Sequence, residues 1–169
     1  MSPLQADEIF ACLDRRGVRY VLIGALAAVL HGSPLATFDA DICPAGGADD
    51  LRRLAEALEE LDARIRTPDA PQGVSFPREA SFLAGVQILD LVTRFGDLDL
   101  SFRPSGTNGF ADLAGNATEM TIGGYRVAVA SLEDIIRSKE AANRPKDQRT
   151  LPVLRQLLEE VRKRRGGSE

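Results

Sequence analysis

The sequence predicts an α/β (α+β) fold: a mixed β-sheet with flanking helices, and further helices at the C-terminal end. Three observations carry that expectation. Residues 20–44 read as an apolar strand, a glycine, a short helix and an alternating strand, with an amphipathic helix behind them. Residues 88–102 read as two β-rich arms about Phe95-Gly96. Residues 131–161 switch to helical periodicity behind a capping pattern. Residues 1–130 are expected to form the core and residues 131–169 a helical segment packed on it, in a single domain. A chain of 169 residues, 44% of them hydrophobic, suffices to bury such a core.

Each element has its own local cause. Ser2-Pro3 reads as an N-cap with proline in the first helical turn, and Ile9, Phe10 and Leu13 recur at helical spacing until Gly17. Tyr20-Val-Leu-Ile23 is a short apolar strand, and residues 25–30 are a helix stopped by Gly32. His31, the one histidine, falls at that helix's C-terminus, where capping or packing suits it. Residues 37–43 alternate, so Phe38, Ala40 and Ile42 are expected to face a core while Asp39 and Asp41 share the other face. Ala45-Gly46-Gly47 opens a helix over residues 48–61 with the stripe Leu51, Leu54, Leu58 and Leu61. Residues 67–79, with three prolines and a glycine, read as loop. In the second arm of the hairpin, Leu98, Leu100 and Phe102 point one way and Asp97, Asp99 and Ser101 the other. Residues 106–117 are loop and a short helix, and residues 118–129 are two strands about Gly123-Gly124 that extend the sheet. A helix runs from the cap at Ser131 to Ala142, and a last one from Pro145 carries Leu151, Leu154, Leu157, Leu158 and Val161 before fraying at its basic end.

Composition narrows the function. No apolar run approaches the roughly 18 residues of a membrane span, and the first residues lack the features of a signal peptide, so a cytoplasmic protein without a membrane partner is expected. Cys12 and Cys43 suit packing thiols and fit neither a disulfide framework nor a zinc site. The net charge of −4 is unevenly spread: residues 131–169 hold ten Lys/Arg against seven Asp/Glu, while residues 1–130 hold 11 against 18. An acidic body with a basic tail suits a metal and a triphosphate or RNA, or else a solvated helix face. Neither a Walker A sequence nor a dinucleotide fingerprint is present.

The chemistry centres on Asp39 and Asp41. Two residues apart on a strand, their Cα atoms lie roughly 6.5–7 Å apart on one face. Carboxylates so placed raise each other's pKa unless a cation lies between them, and hard oxygen ligands suit Mg²⁺ or Mn²⁺. Just upstream, the strand enters a helix through Gly24-Ala25, where backbone N–H groups and the helix dipole offer a phosphate site.

At these residues the chain resembles the nucleotidyltransferase superfamily with the polymerase-β-like minimal fold, whose signature is a hydrophobic strand, G-G or G-S, a short helix and D-x-D. Here these are Gly24-Ala25 and Asp39-Ala40-Asp41. The resemblance is nearest to the bacterial branch related to AbiEii-type toxins, where H-G-x-P and T-x-D-x-D are matched by residues 31–41, with Ala25 where better studied members have serine. It extends to Thr93, Gly96, Leu98-Asp99-Leu100 and Pro104-Ser-Gly-Thr107, which implies that Asp99 is the third carboxylate; Asp90, on the other arm of the hairpin, is its rival.

The resemblance further implies that Lys139 holds the triphosphate, with Arg144-Pro-Lys-Asp147 as a following R-x-K-D element; a solvated helical Lys139 is the alternative. An aspartate expected three places beyond Asp147 is Thr150 here. The implied activity is metal-dependent transfer of an NMP from an NTP to an acceptor hydroxyl on RNA or a tRNA end, a protein or a small molecule. Asp39, Asp41 and Asp99 would hold the metal, and Gly24, Ala25 and Lys139 the nucleotide. A toxin–antitoxin component with a cognate protein partner fits this branch. A nucleotidyltransferase-like binding or antitoxin-type protein without turnover is the competing reading, favoured by Ala25 and Thr150.

Overall fold

The structure, a computed structural model, describes residues 3–167. Its elements run α1 (Ala6–Arg15), β1 (Tyr20–Ile23), α2 (Gly24–Leu30), β2 (Asp39–Pro44), α3 (Ala48–Glu60), β3 (Arg64–Thr67), β4 (Ala70–Val74), α4 (Ala80–Leu83), β5 (Ile88–Thr93), β6 (Gly96–Ser101), α5 (Phe110–Asn116), β7 (Thr118–Ile122), β8 (Tyr125–Val129), α6 (Leu132–Ala142) and α7 (Pro145–Gly166). The expected mixed sheet is present: eight strands in the order β4-β3-β5-β6-β2-β1-β8-β7. The pairs β2/β6 and β1/β8 are parallel, and the others are antiparallel.

The period-2 pattern of the central strands decides which face is core. Ala40 and Ile42 on β2, Leu98 and Leu100 on β6, and Leu89 and Leu91 on β5 are all buried, with Ile9, Phe10 and Leu13 of α1 and Leu54 and Leu58 of α3 in the same cluster. Each of these strand residues alternates with a polar one, so the opposite face of β2, β6 and β5 carries aspartates. On that side, α2 packs against β1, β2 and α6, and α6 packs against α7.

Several local expectations are corrected. The first helix begins at Ala6 rather than at Pro3, because the Gln5 N–H is taken by Phe95 O at 2.8 Å; Ser2 lies outside the described residues. Phe38 does not face the core: β2 starts only at Asp39, and Phe38, on the bend before it, is 74% exposed. Residues 64–74 form the hairpin β3/β4 at the sheet's edge, so its residues from 67 onward are not the loop expected there, and Pro71 is tolerated because β4 is the outermost strand. The last helix continues through the basic run to Gly166 instead of fraying before it.

Candidate active site

Strand register assembles the site. In the parallel β2/β6 pair Asp39 lies beside Asp97 and Asp41 beside Asp99, and in the antiparallel β5/β6 pair Asp90 lies beside Asp99. Because Asp41 and Asp99 are direct lateral neighbours, their side chains leave the same face a strand spacing apart. Asp39, Asp41 and Asp99 each bring one oxygen to a cluster in which all three atoms lie within 4.8 Å of one another. Asp90 is exposed and lies outside this group.

Gly24 explains how Asp41 fits. It opens α2 at φ +73°, and a Cβ placed on it would collide with the Asp41 carboxylate. Any side chain there would therefore push Asp41 away, besides adopting a strained backbone. Ala25 follows in the first turn of α2, whose N-terminus has no side-chain cap. Behind this helix, His31 Nε2 lies 2.8 Å from Ala130 O, so that nitrogen carries the proton and the ring ties α2 to the end of β8. His31 is thus a packing residue.

The electrostatics of the cluster are unfinished. Burial pushes the Asp41 carboxyl up to about 6, with Asp39 adding repulsion and Asp99, Lys146 and Lys139 opposing it. Burial likewise raises Asp99, to about 8, with Asp41 as the next cause and Arg66 as the main opposing charge. Both shifts mean that the folded chain resists placing this much negative charge here, which a divalent cation would relieve. An octahedral ion with metal–oxygen distances of about 2.1 Å sets its ligands about 3 Å apart when adjacent and about 4.2 Å apart when opposite. A slight closing of the three side chains reaches that spacing, so the donor set fits Mg²⁺ or Mn²⁺.

Lys139 has a defined place. Its side chain is 17% exposed, and its ammonium lies 3.5 Å from the carboxylate of Asp147, which is fully buried. Asp147 also accepts from Arg144 Nε at 2.7 Å and from the Arg144 backbone N–H at 3.1 Å, closing a capping box at the start of α7. Nearby on α6, Arg137 pairs with Asp112 and Asp134, and Glu140 pairs with Arg155. Thr150 donates to the Asp147 carbonyl of its own helix at 3.2 Å.

Two cations of the site were not singled out from the sequence. Lys146 precedes Asp147 and acts on Asp41 together with Lys139; the R-x-K-D spacing was its signal. Arg66 on β3 reaches Asp99 Oδ1 at 3.0 Å and Asp97 Oδ2 at 3.3 Å. Its signal was the alternation Arg64-Ile-Arg-Thr67, which precedes the proline-rich stretch and belongs to an edge hairpin.

No protein-family model and no curated protein matches the chain. Among solved structures it is similar to the lincomycin-bound crystal structure of the lincosamide antibiotic adenylyltransferase LnuA, with a TM-score of 0.61 and 14% identity over 93% of this chain and 99% of that one. It is also similar to the solution structure of the antibiotic-resistance factor ANT(2'')-Ia, with a TM-score of 0.52 and 17% identity over 95% of this chain and 90% of that one. At such identities the likeness is one of architecture, and the chain has the fold of these nucleotidyltransferases. Among the described residues, no helix is long and apolar enough to cross a membrane.

Proposed function

We propose that the protein is a metal-dependent nucleotidyltransferase that moves an NMP from an NTP to an acceptor hydroxyl. The observation that carries this reading is the convergence of Asp39, Asp41 and Asp99 from two paired strands to within 4.8 Å, against a glycine whose Cβ would displace Asp41. Asp39, Asp41 and Asp99 would hold Mg²⁺ or Mn²⁺, which supplies charge neutralisation for the triphosphate and acidifies the acceptor hydroxyl.

The chain's own groups divide the remaining work. Gly24 and Ala25 offer backbone N–H groups beside Asp41, and Lys139, steadied by Asp147, offers an ammonium to phosphate oxygens. Asp99, between Asp41 and the exposed Asp90 in the row across the sheet, would take the proton of the acceptor hydroxyl. The acceptor oxygen bonds to the α-phosphorus, the bond to the β-phosphate oxygen breaks, and the hydroxyl proton passes to Asp99 or to solvent as pyrophosphate departs. The small-molecule class of acceptor is supported by the lincomycin-bound fold neighbour. RNA or a tRNA end, and a toxin–antitoxin role within the AbiEii-related branch, are supported by the sequence resemblance and the basic α7.

The test is incubation with each labelled NTP, Mg²⁺ or Mn²⁺, and separately total RNA and a small-metabolite extract. Label transfer by the wild type and its loss in Asp41→Asn is the expected outcome. NTP and metal binding without transfer to any acceptor would favour the inactive binding protein.

A further inference from the structure

Arg66 stands on β3, two strands from β6, yet its guanidinium ends at the third carboxylate. The β3/β5 register sets Ile65 beside Leu91, so Arg66 continues the row of Asp90, Asp99 and Asp41 across the sheet. Its Nη1 donates to Leu91 O at 2.8 Å, which pins the group to the backbone of the intervening strand. From that anchor, Nη2 donates to Asp99 Oδ1 at 3.0 Å and Nη1 lies 3.3 Å from Asp97 Oδ2. The side chains of Arg66 and Asp99 are only 26% and 17% exposed, so this is not a solvated surface pair.

We propose that Arg66 is a positioning residue for the metal site: its anchored fork fixes the Asp99 carboxylate so that one of its oxygens stays within reach of Asp39 and Asp41. The terminal torsion of an aspartate is soft, and repulsion from Asp41 would turn Asp99 away from the cluster. Engaging Oδ1 fixes the orientation of the Asp99 carboxylate, which contributes one oxygen to the cluster with Asp39 and Asp41. Meeting a backbone carbonyl and two carboxylates at once requires a planar group with several donors in fixed directions, which lysine lacks. This inference rests on the metal site proposed above and extends it by one residue that touches no ligand itself.

Calorimetric titration with Mn²⁺ alone tests it on the wild type, Arg66→Lys, Arg66→Ala, Asp99→Asn and the double variant Arg66→Lys/Asp99→Asn. Arg66→Lys keeps the positive charge and the aliphatic stem, so a loss there reports geometry rather than field, and it carries the test where the alanine variant does not fold. The expected result is Mn²⁺ affinity lowered about tenfold in Arg66→Lys, the scale for groups that orient a ligand, with a melting temperature near that of the wild type. In the Asp99→Asn background the lysine substitution should change affinity by less than about twofold, because Arg66 acts through Asp99. Wild-type affinity in Arg66→Lys, or a full tenfold effect persisting without Asp99, would overturn the proposal while leaving the metal site standing. A wild type that binds no Mn²⁺ would remove the metal site and this role of Arg66 together.

Discussion

The chain sequesters Asp147 at the start of α7 and the triad Asp39, Asp41 and Asp99 on the sheet, and Asp147 has electrostatics opposite to those of Asp41 and Asp99. Asp147 is fully buried, and burial alone would raise its pKa. It is held below the ordinary carboxylate range all the same, by the Arg144 side chain and backbone N–H and by Lys139. Asp41 and Asp99 are less deeply covered, but they face each other and Asp39, and both are raised. The difference teaches which acid is structural: Asp147 has its counter-charges in direct contact within the chain, whereas Asp41 and Asp99 stay raised by burial and by a neighbouring carboxylate despite Arg66, Lys139 and Lys146. A buried acid with complete partners holds helices together, and a cluster left short of positive charge is where an external cation belongs.

The sharpest way to break this comparison is to remove Asp147. Asp147→Ala leaves Lys139 and Arg144 without their shared anion and uncaps α7, and should cost about 3 kcal/mol of stability, the scale for stripping one partner from a buried ion pair. Urea denaturation measures it. By contrast, Asp41→Asn should leave the metal-free protein as stable as the wild type or slightly more so, since it relieves repulsion. A larger loss at Asp41 than at Asp147 would reverse the assignment of the two groups.

Lys139 belongs to both groups and sharpens the contrast. Lys139→Ala should remain folded, because Arg144 still pairs with Asp147, and should weaken NTP binding by roughly 1.5–3 kcal/mol, the range for hydrogen bonds to charged groups. Mn²⁺ affinity at the triad should scarcely change. NTP affinity within twofold of the wild type would return Lys139 to a purely structural role beside Asp147.

The pH dependence is the gentlest effect. Asp41 and Asp99 have folded values of about 6 and about 8 against an ordinary 3.8, so between about pH 4 and 8 the folded chain binds more protons than the unfolded one. The stability associated with these raised groups is fully present below pH 4 and is lost as pH rises through their folded values. The melting temperature of the metal-free protein should therefore fall across that window. Asp99→Asn should flatten the fall, and Mn²⁺ should reverse it at the upper end. An equally steep fall in the asparagine variant would detach the pH dependence from the triad.

Much of this site was legible because it depends on local periodicity. Alternation placed Asp39 with Asp41 and Asp97 with Asp99, and the Ser131 cap and Pro145 bounded α6 and α7 close to where they lie. That β2 and β6 pair in parallel, bringing Asp41 beside Asp99, is a long-range register that no local pattern encodes. Resemblance, not periodicity, pointed to Asp99. Phe38 misled because alternation was read from Thr37, two residues ahead of the strand's true start at Asp39. Arg66 escaped because it stands next to a proline-rich stretch whose composition says loop, while the edge of a sheet tolerates proline. The pairing of Lys139 with Asp147 escaped because it joins separate helices, although their spacing in the chain is short.

The most direct test of the central claim is calorimetric titration of Mn²⁺ into the wild type and Asp41→Asn at pH 7, repeated in two buffers of different ionisation enthalpy. A cation that replaces the proton on Asp99, whose carboxyl is raised to about 8, should bind the wild type and release protons, so the apparent enthalpy should depend on the buffer. In Asp41→Asn, with the fold intact by circular dichroism, that binding should be lost. Equal Mn²⁺ affinity in the two proteins, or wild-type binding without proton release, would contradict the reading of the aspartate triad as a divalent-cation site.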